Sequence, residues 1–396
     1  MTHLGKDADV AMLAALAGDA AGLDLMVDPR DEMLQFSAGA TGATRARFDY
    51  FRLGHELVST VDQVADWAFP GERASVTVLE FACGYGRNVR HLVRRFPTGN
   101  ITVSDIDPEA VAFVTERFGV AGKLSATEPE SLQWSERYDL IIVPSLFSHL
   151  PDATFSRWLT TLHGLLTDRG VLAFSVHDEH LVPDIDMSSG INFTAFSEAL
   201  GRLDAEQYGT TYVTEGYVGD QVEAAAGERR YGRVPRGFWD HQDLYLMTGA
   251  AQRSPAAFAY ERPIMGHVDE VAFVGGAVKL SGWAYALQRG LTLTVRVGDT
   301  VLLETKDLTP RPDVAHVRGA EFVDSGYAVT LPLPEGAEGQ LLVVQAKAGD
   351  QATCFYALPA QAPEPAQASP ASAKFAPAPA SPLRKALAEV RRRLRS

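Results

Sequence analysis

Cysteine is scarce. There are two in 396 residues, Cys83 and Cys354. They fall in stretches of different character, which excludes a disulfide framework and fits a reducing cytoplasm. No apolar run approaches the ~20 residues of a membrane-spanning helix. The opening stretch, MTHLGKDADVAML, carries acids ahead of its apolar part and no cleavage-site pattern, so no signal peptide is expected. Positive charge is also in deficit: 36 Lys and Arg against 50 Asp and Glu give a formal net charge of −14. A chain that acidic is a poor general binder of phosphate backbones, so nucleic acid is not an expected partner. No His, Cys, Asp and Glu cluster has ligand spacing, so no metal is expected. The hydrophobic fraction, 46%, is that of ordinary globular chains, and the length allows two or three domains.

The most informative stretch is Val76–Phe96, VTVLEFACGYGRNVRHLVRRF. Val76, Val78 and Leu79 make the short apolar run of a buried parallel strand. Ala82, Gly84 and Gly86 are small at alternate positions, so the backbone turns sharply and a ligand can approach it. Val89, Leu92, Val93 and Phe96 then recur at helical spacing, predicting a helix with one face on the sheet. The free N–H groups of the turn are expected to face a ligand over the strand end. A second strand, Ile101–Asp105, ends in a carboxylate about 20 residues on, the offset at which an acid reaches a ribose hydroxyl pair. A dinucleotide turn needs a third glycine, and Val89 stands at that position. Glu80 ends the first strand, where a carboxylate can help hold an amino acid's ammonium group.

The run Glu80-Phe81-Ala82-Cys83-Gly84-Tyr85-Gly86 resembles the first motif of class I S-adenosylmethionine (SAM)-dependent methyltransferases, with Ala82 at the first glycine. The resemblance spans roughly residues 45–250. It implies a Rossmann-like, doubly wound sheet with an antiparallel edge hairpin, and SAM as cofactor. It also implies a cofactor site from Glu80, Ala82, Cys83, Gly84, Tyr85, Gly86, Asp105, Ile106, Thr127 and Pro144. Where relatives often place an acid for the adenine amine, this chain has Ser125-Ala126-Thr127.

Upstream, residues 1–75 read as a helical entry segment through Val10, Leu13, Ala14 and Ala17, and again over Gly54–Ala68. Pro70 and Gly71 end the second helix. Arg47 and Tyr50 are candidates for a lid over the cofactor. Downstream, Tyr138–Ser145 is a fourth strand and an amphipathic helix runs through Phe155, Trp158, Leu159, Leu162 and Leu166. Asp168-Arg169-Gly170 turns into a fifth strand ending at His177. Thr211–Val218 precedes a helix over Gly219–Ala226, and Asp243–Met247 enters the edge hairpin. Residues 76–250 form the methyltransferase-like domain.

Residues 251–263 read as a linker. From 264 to 358, short Val-, Leu- and Thr-rich runs alternate with Gly, Asp and Pro, predicting an all-β sandwich. Leu291, Leu293, Val295 and Val297 alternate strictly, and Gly298-Asp299 signals a hairpin. The runs Ser281-Gly282-Trp283-Ala284 and Arg311-Pro312-Asp313-Val314 resemble Ig-like modules attached to bacterial envelope-glycan enzymes. Trp283 is read as a core residue, with sugar stacking as the alternative. Residues 359–382 are an Ala/Pro-rich tether. Residues 383–396 form a basic amphipathic helix, expected to lie on an anionic membrane surface, to dock a protein partner or to remain a solvated tail.

For a methyl acceptor bearing a hydroxyl, a base must take its proton, and His177 and His149 are the candidates at the strand ends. His241 is more peripheral. Tyr85 and Phe147 are candidates to face the sulfonium. The expected activity is O-methylation of a small molecule or a bacterial glycan or glycolipid, in the cytoplasm or peripherally at the inner membrane. A non-catalytic SAM-fold scaffold and an NAD-dependent oxidoreductase are the alternatives.

Overall fold

The computed structural model describes residues 23–182, 185–195, 203–287 and 290–361. The helix expected around Val10–Ala17, the basic helix 383–396 and nearly all of the tether lie outside the described residues. The chain divides into two compact units. Among the described residues, the first comprises Leu23–Phe36 and Tyr50–Glu261, and the second Ser37–Asp49 and the residues from Arg262 to 361.

Two helices open the described chain, α1 (Glu32–Thr41) and α2 (Ala43–Ala68). The second begins well before the predicted Gly54, so Arg47 and Tyr50 lie on it. Gly71, at φ +77°, follows its end as expected. In the first unit, β1 (Val78–Phe81), β2 (Ile101–Asp105), β3 (Ala121–Leu124), β4 (Tyr138–Val143) and β5 (Leu166–Asp178) run parallel in the order β3-β2-β1-β4-β5. The order reverses between β1 and β4, where open α/β sheets bind ligands. The edge hairpin is present as β8 (Gly232–Phe238) and β9 (Gln242–Thr248), with β9 antiparallel to β5. A second small hairpin, β6 (Ile191–Thr194) and β7 (Thr210–Val213), joins the sheet where β7 pairs the last two residues of β5.

The continuous apolar runs arise because both faces of the sheet are covered. Val78, Leu140, Ile142, Val171 and Ala173 pack on one side with Leu57, Val61 and Val64 of α2. Leu79, Ile141, Val143, Leu172 and Phe174 pack on the other. There they meet α5 (Asp152–Gly164) through Phe155, Trp158, Leu159 and Leu162, and α6 (Glu215–Ala226) through Val218 and Val222.

Four expectations need correction. The helix after the glycine turn, α3, is regular only over Val89–Leu92, because Arg94 and Arg95 donate to carbonyls three residues back. Leu166 belongs to β5, and Asp168-Arg169-Gly170 is a bulge within that strand: Tyr138 faces Leu166 but Leu140 faces Val171. Helix α6 starts at Glu215, because Thr214 caps it by accepting from the Tyr217 N–H. The supposed linker packs onto α2 as far as Glu261. Phe258 meets Trp67 edge-on, Tyr260 bonds Thr60 at 3.3 Å, and the Glu261 N–H donates to Gln63 at 2.8 Å.

The second unit holds two antiparallel sheets. One is β10 (Met265–Val274), β11 (Ala277–Tyr285) and β14 (Gly326–Pro332). The other is β12 (Thr292–Val297), β13 (Thr300–Thr305), β15 (Leu341–Ala348) and β16 (Gln351–Pro359), in the order β13-β12-β15-β16. Strand β16 therefore absorbs Pro359, the expected first residue of the tether. The alternation in β12 buries Leu293, Val295 and Val297, and Gly298 turns the hairpin at φ +54°. Trp283 is buried against Phe322, with the Arg318 guanidinium over its ring, so it is a core residue. Arg311 precedes a short helix, α7 (Pro312–Arg318), and donates to Asp269 of β10 and to the Gly282 carbonyl of β11.

Candidate functional site

The C-terminal ends of β1, β2, β4 and β5 line one edge of the sheet. Ala82, directly after β1, takes φ +61°, a left-handed conformation disfavoured for a residue with a Cβ. Gly84 and Gly86 follow at φ +51° and +79°. A Cβ on Gly86 would sit 3.0 Å from Phe118 and 3.1 Å from Val114 of α4 (Pro108–Phe118), so this glycine is required by packing as well. Cys83 is buried, and burial raises its thiol well above the usual range. It is therefore a packing residue of the turn.

Glu80 is completely buried. Its Oε1 accepts from Asn88 Nδ2 at 2.8 Å, while its Oε2 and Asn88 Oδ1 are buried without partners among the described residues. Burial raises its carboxyl to about 7, against the lowering effect of the Asn88 bond and the Arg87 charge. Two acceptors left unpaired in the interior fit an ammonium donor, which would satisfy both and favour the carboxylate. Asn88 escaped the sequence reading. A polar residue among the apolar positions of the predicted helix was the available signal.

Asp105 ends β2 as expected and stabilises the turn. Its Oδ2 accepts from the Gly84 N–H at 2.8 Å and its Oδ1 from the Asp107 N–H at 3.0 Å. The Gly84 N–H is thus committed to a carboxylate rather than left free for a ligand. Each carboxylate oxygen retains lone-pair capacity for a ribose hydroxyl. Ile106 follows half-buried, and Thr127 is exposed in the loop after β3. The Tyr85 ring lies beside Phe113 and its hydroxyl donates to Asp107, so the side chain is held on the α4 side. Phe147 is fully buried between Phe155 and Phe174. Both therefore serve packing rather than facing a sulfonium.

Fully buried Arg90 ties the N-terminal segment to this turn. It donates to the carbonyls of Gly86, Asp24 and Met26 at 3.1, 2.7 and 3.0 Å, and stacks on Tyr50. The Tyr50 hydroxyl donates to Asp31 at 2.8 Å, so this lid candidate is a buried packing residue. Arg47 falls in the second unit.

Pro144 is buried after β4, and Ser145 follows at φ +62°. Its N–H donates to Ser175 Oγ at 2.9 Å, and its hydroxyl bonds Gln242 Oε1 at 3.2 Å. Ser175 Oγ donates to the same Gln242 oxygen at 2.6 Å. The Gln242 amide nitrogen then faces Nε2 of His177 at 3.2 Å. An amide NH₂ only donates, so His177 Nε2 is the acceptor and its lone pair is occupied. Burial, His241 and His149 hold His177 well below its usual pKa.

His149 differs. Its Nδ1 lies 2.7 Å from the Gly209 carbonyl and must carry the proton, which leaves Nε2 with the lone pair. The ring is half-buried, stacks on Tyr208 at 4.6 Å and lies 6.3 Å from the His177 ring. Burial lowers its pKa, so it is neutral at pH 7. His241 lies 5.2 Å from His177 and is held at about 4 by burial and by Arg236. Gln242, next to the peripheral His241, carries no signal in the sequence, because its bonds span 65 to 97 positions. Among the described residues no His, Cys, Asp and Glu group is arranged for a metal.

Residues 79–172 match the model of a family described as methyltransferase domain. A malonyl-[acyl-carrier protein] O-methyltransferase of Bacillus anthracis is 28% identical over 138 residues, 35% of this chain and 49% of that protein. One of Acetivibrio thermocellus is 25% identical over 158 residues, 38% of this chain and 50% of that protein. The chain thus spans about half the length of these curated relatives. Among solved structures, a magnesium protoporphyrin IX methyltransferase from Synechocystis with bound SAH is similar at 17% identity and TM-score 0.36, over 51% of this chain and 86% of that one.

Proposed function

Taking as premise that residues 79–172 are a class I methyltransferase domain with SAM as cofactor, we propose that this protein transfers the methyl group of SAM to an oxygen acceptor, with His149 as the base. When bound, SAM supplies a sulfonium-activated methyl group. The chain's own residues do the rest. Glu80 and Asn88 would hold the ammonium, Asp105 the ribose, and the Ala82–Gly86 turn admits the ligand to the backbone. His149 Nε2 takes the proton from the acceptor hydroxyl as the oxygen gains its methyl group. Fixing the acceptor beside that nitrogen also supplies the proximity on which in-line displacement depends.

The observation that carries the assignment is the Nδ1 bond of His149 to the Gly209 carbonyl, which sets the tautomer that a base needs. A carbonyl partner also stabilises the imidazolium formed when Nε2 takes a proton. The acceptor proposed is a hydroxyl of a glycan or glycolipid. Support for that class is the resemblance of residues 281–284 and 311–314 to modules of envelope-glycan enzymes. The test is methyl transfer from isotopically labelled SAM to a panel of glycans, glycolipids and acyl-carrier-protein thioesters. Product from the glycans or glycolipids supports the reading, and product only from a thioester removes the glycan assignment. No product from any, with SAM bound, favours the scaffold alternative.

A further inference from the structure

Arg87 occupies an unusual place in this site. It follows Gly86 directly in the turn, and its guanidinium stacks over the Trp239 ring at 4.8 Å. Trp239 is itself fixed, because its indole N–H donates to the Leu53 carbonyl at 2.8 Å. Tyr50, Asp31 and Glu80 are the electrostatic neighbours of the guanidinium, and none of them makes a hydrogen bond or ion pair with it. Most other arginines of the first unit are ion-paired: Arg30, Arg73, Arg117, Arg157, Arg169 and Arg233 all meet carboxylates. Burial works against the charge of Arg87, lowering its pKa. The side chain is half-buried, and a guanidinium held over a ring with no side-chain acceptor among these neighbours presents its donor edge to an anion. Glu80 Oε2 and Asn88 Oδ1 are unpaired acceptors in the same turn.

We propose that Arg87, held over the Trp239 ring, is the recognition residue for a ligand carboxylate at this site. The proposal rests on the SAM-dependent reading. A planar guanidinium takes a carboxylate by two parallel N–H donors, which a lysine cannot reproduce. Two sources offer that group: the amino-acid end of SAM, and a carboxylate on the acceptor.

The experiment is calorimetric titration of the full chain and its Arg87→Gln variant with SAM and with decarboxylated SAM, which keeps the ammonium but lacks the carboxylate. If the cofactor is the source, Arg87→Gln weakens SAM on the order of 10- to 100-fold and leaves decarboxylated SAM unchanged. If the acceptor is the source, both cofactors bind the variant normally. Acetate then binds SAH-loaded wild-type protein and not SAH-loaded variant. Equal weakening of SAM and decarboxylated SAM overturns the proposal, because it makes Arg87 a packing residue. So does unchanged cofactor binding with no Arg87-dependent acetate binding. Wild-type protein that binds neither cofactor removes the SAM reading instead, and the acetate arm, run without SAH, still decides Arg87. If Arg87→Gln does not fold, Arg87→Lys is read by the same criteria, since it keeps the charge and loses the planar fork.

Discussion

The side-chain amide of Gln242 donates to Nε2 of His177 across 3.2 Å, closing the nitrogen that a base would use. His149, with Nδ1 anchored on Gly209, keeps its own Nε2 lone pair. His149→Ala is therefore expected to lower kcat ~100-fold or more with SAM affinity retained, and His177→Ala to cost far less. Steady-state kinetics beside calorimetry check this. Burial lowers the pKa of His149, so its neutral, active form persists as pH falls below the ordinary 6.5. The acid limb of the kcat profile should lie below that value, and a limb above it would contradict the assignment.

Ala82 and Gly86 present opposite cases in one turn. Ala82 carries a Cβ at φ +61°, where left-handed backbone costs about 1–2 kcal/mol. Ala82→Gly should raise Tm by a few degrees, the relief being partly offset by glycine's entropy. Gly86→Ala should lower Tm, because its Cβ meets Phe118 and Val114. Thermal unfolding of both variants is the measurement, and a stabilised Gly86→Ala would show that the turn is drawn wrongly.

His55 and His91 lie ring to ring between α2 and α3, His91 buried and His55 half-buried. Burial, then Arg95 and Arg94, hold His55 at about 4. A histidine that folds neutral contributes its full stability above the unfolded pKa, about 6.5, and loses it as pH falls from there through about 4. Glu80, raised to about 7, acts with the opposite sign, losing its contribution as pH rises through 7. His55→Gln should therefore flatten the fall in denaturant-measured stability between pH 6.5 and 4. An unchanged slope would show that His55 is accessible to protons in the folded chain.

What the sequence made legible was local. The glycine turn, Asp105 at the end of β2 and the His149 and His177 positions each announce themselves within a few residues of a strand end. What stayed hidden depends on distant pairing. Arg90 reaches carbonyls 64 and 66 positions away, and no helical pattern encodes that. The bulge at Asp168–Gly170 looks like a turn in sequence and is absorbed by β5 because Leu166 already pairs with Tyr138. The stretch after Gly249 has linker composition, yet Phe258 and Tyr260 find apolar and hydroxyl partners on α2.

That packing has a consequence for stability. Phe258→Ala in the full chain should cost about 1–2 kcal/mol, since the half-buried ring covers Trp67. Denaturant unfolding followed by tryptophan fluorescence reports it. A shift within error would return residues 251–261 to the status of a linker.

The central claim is that the ends of β1 and β2 form the cofactor site, and Asp105 tests it most directly. Asp105→Ala removes the acceptor of the Gly84 and Asp107 N–H groups together with the expected ribose contact. Calorimetric titration with SAH should show tight binding by the wild-type chain and a loss of ~1.5–3 kcal/mol in the folded variant. Equal SAH affinity in the two, or no binding by the wild-type chain, would contradict the account.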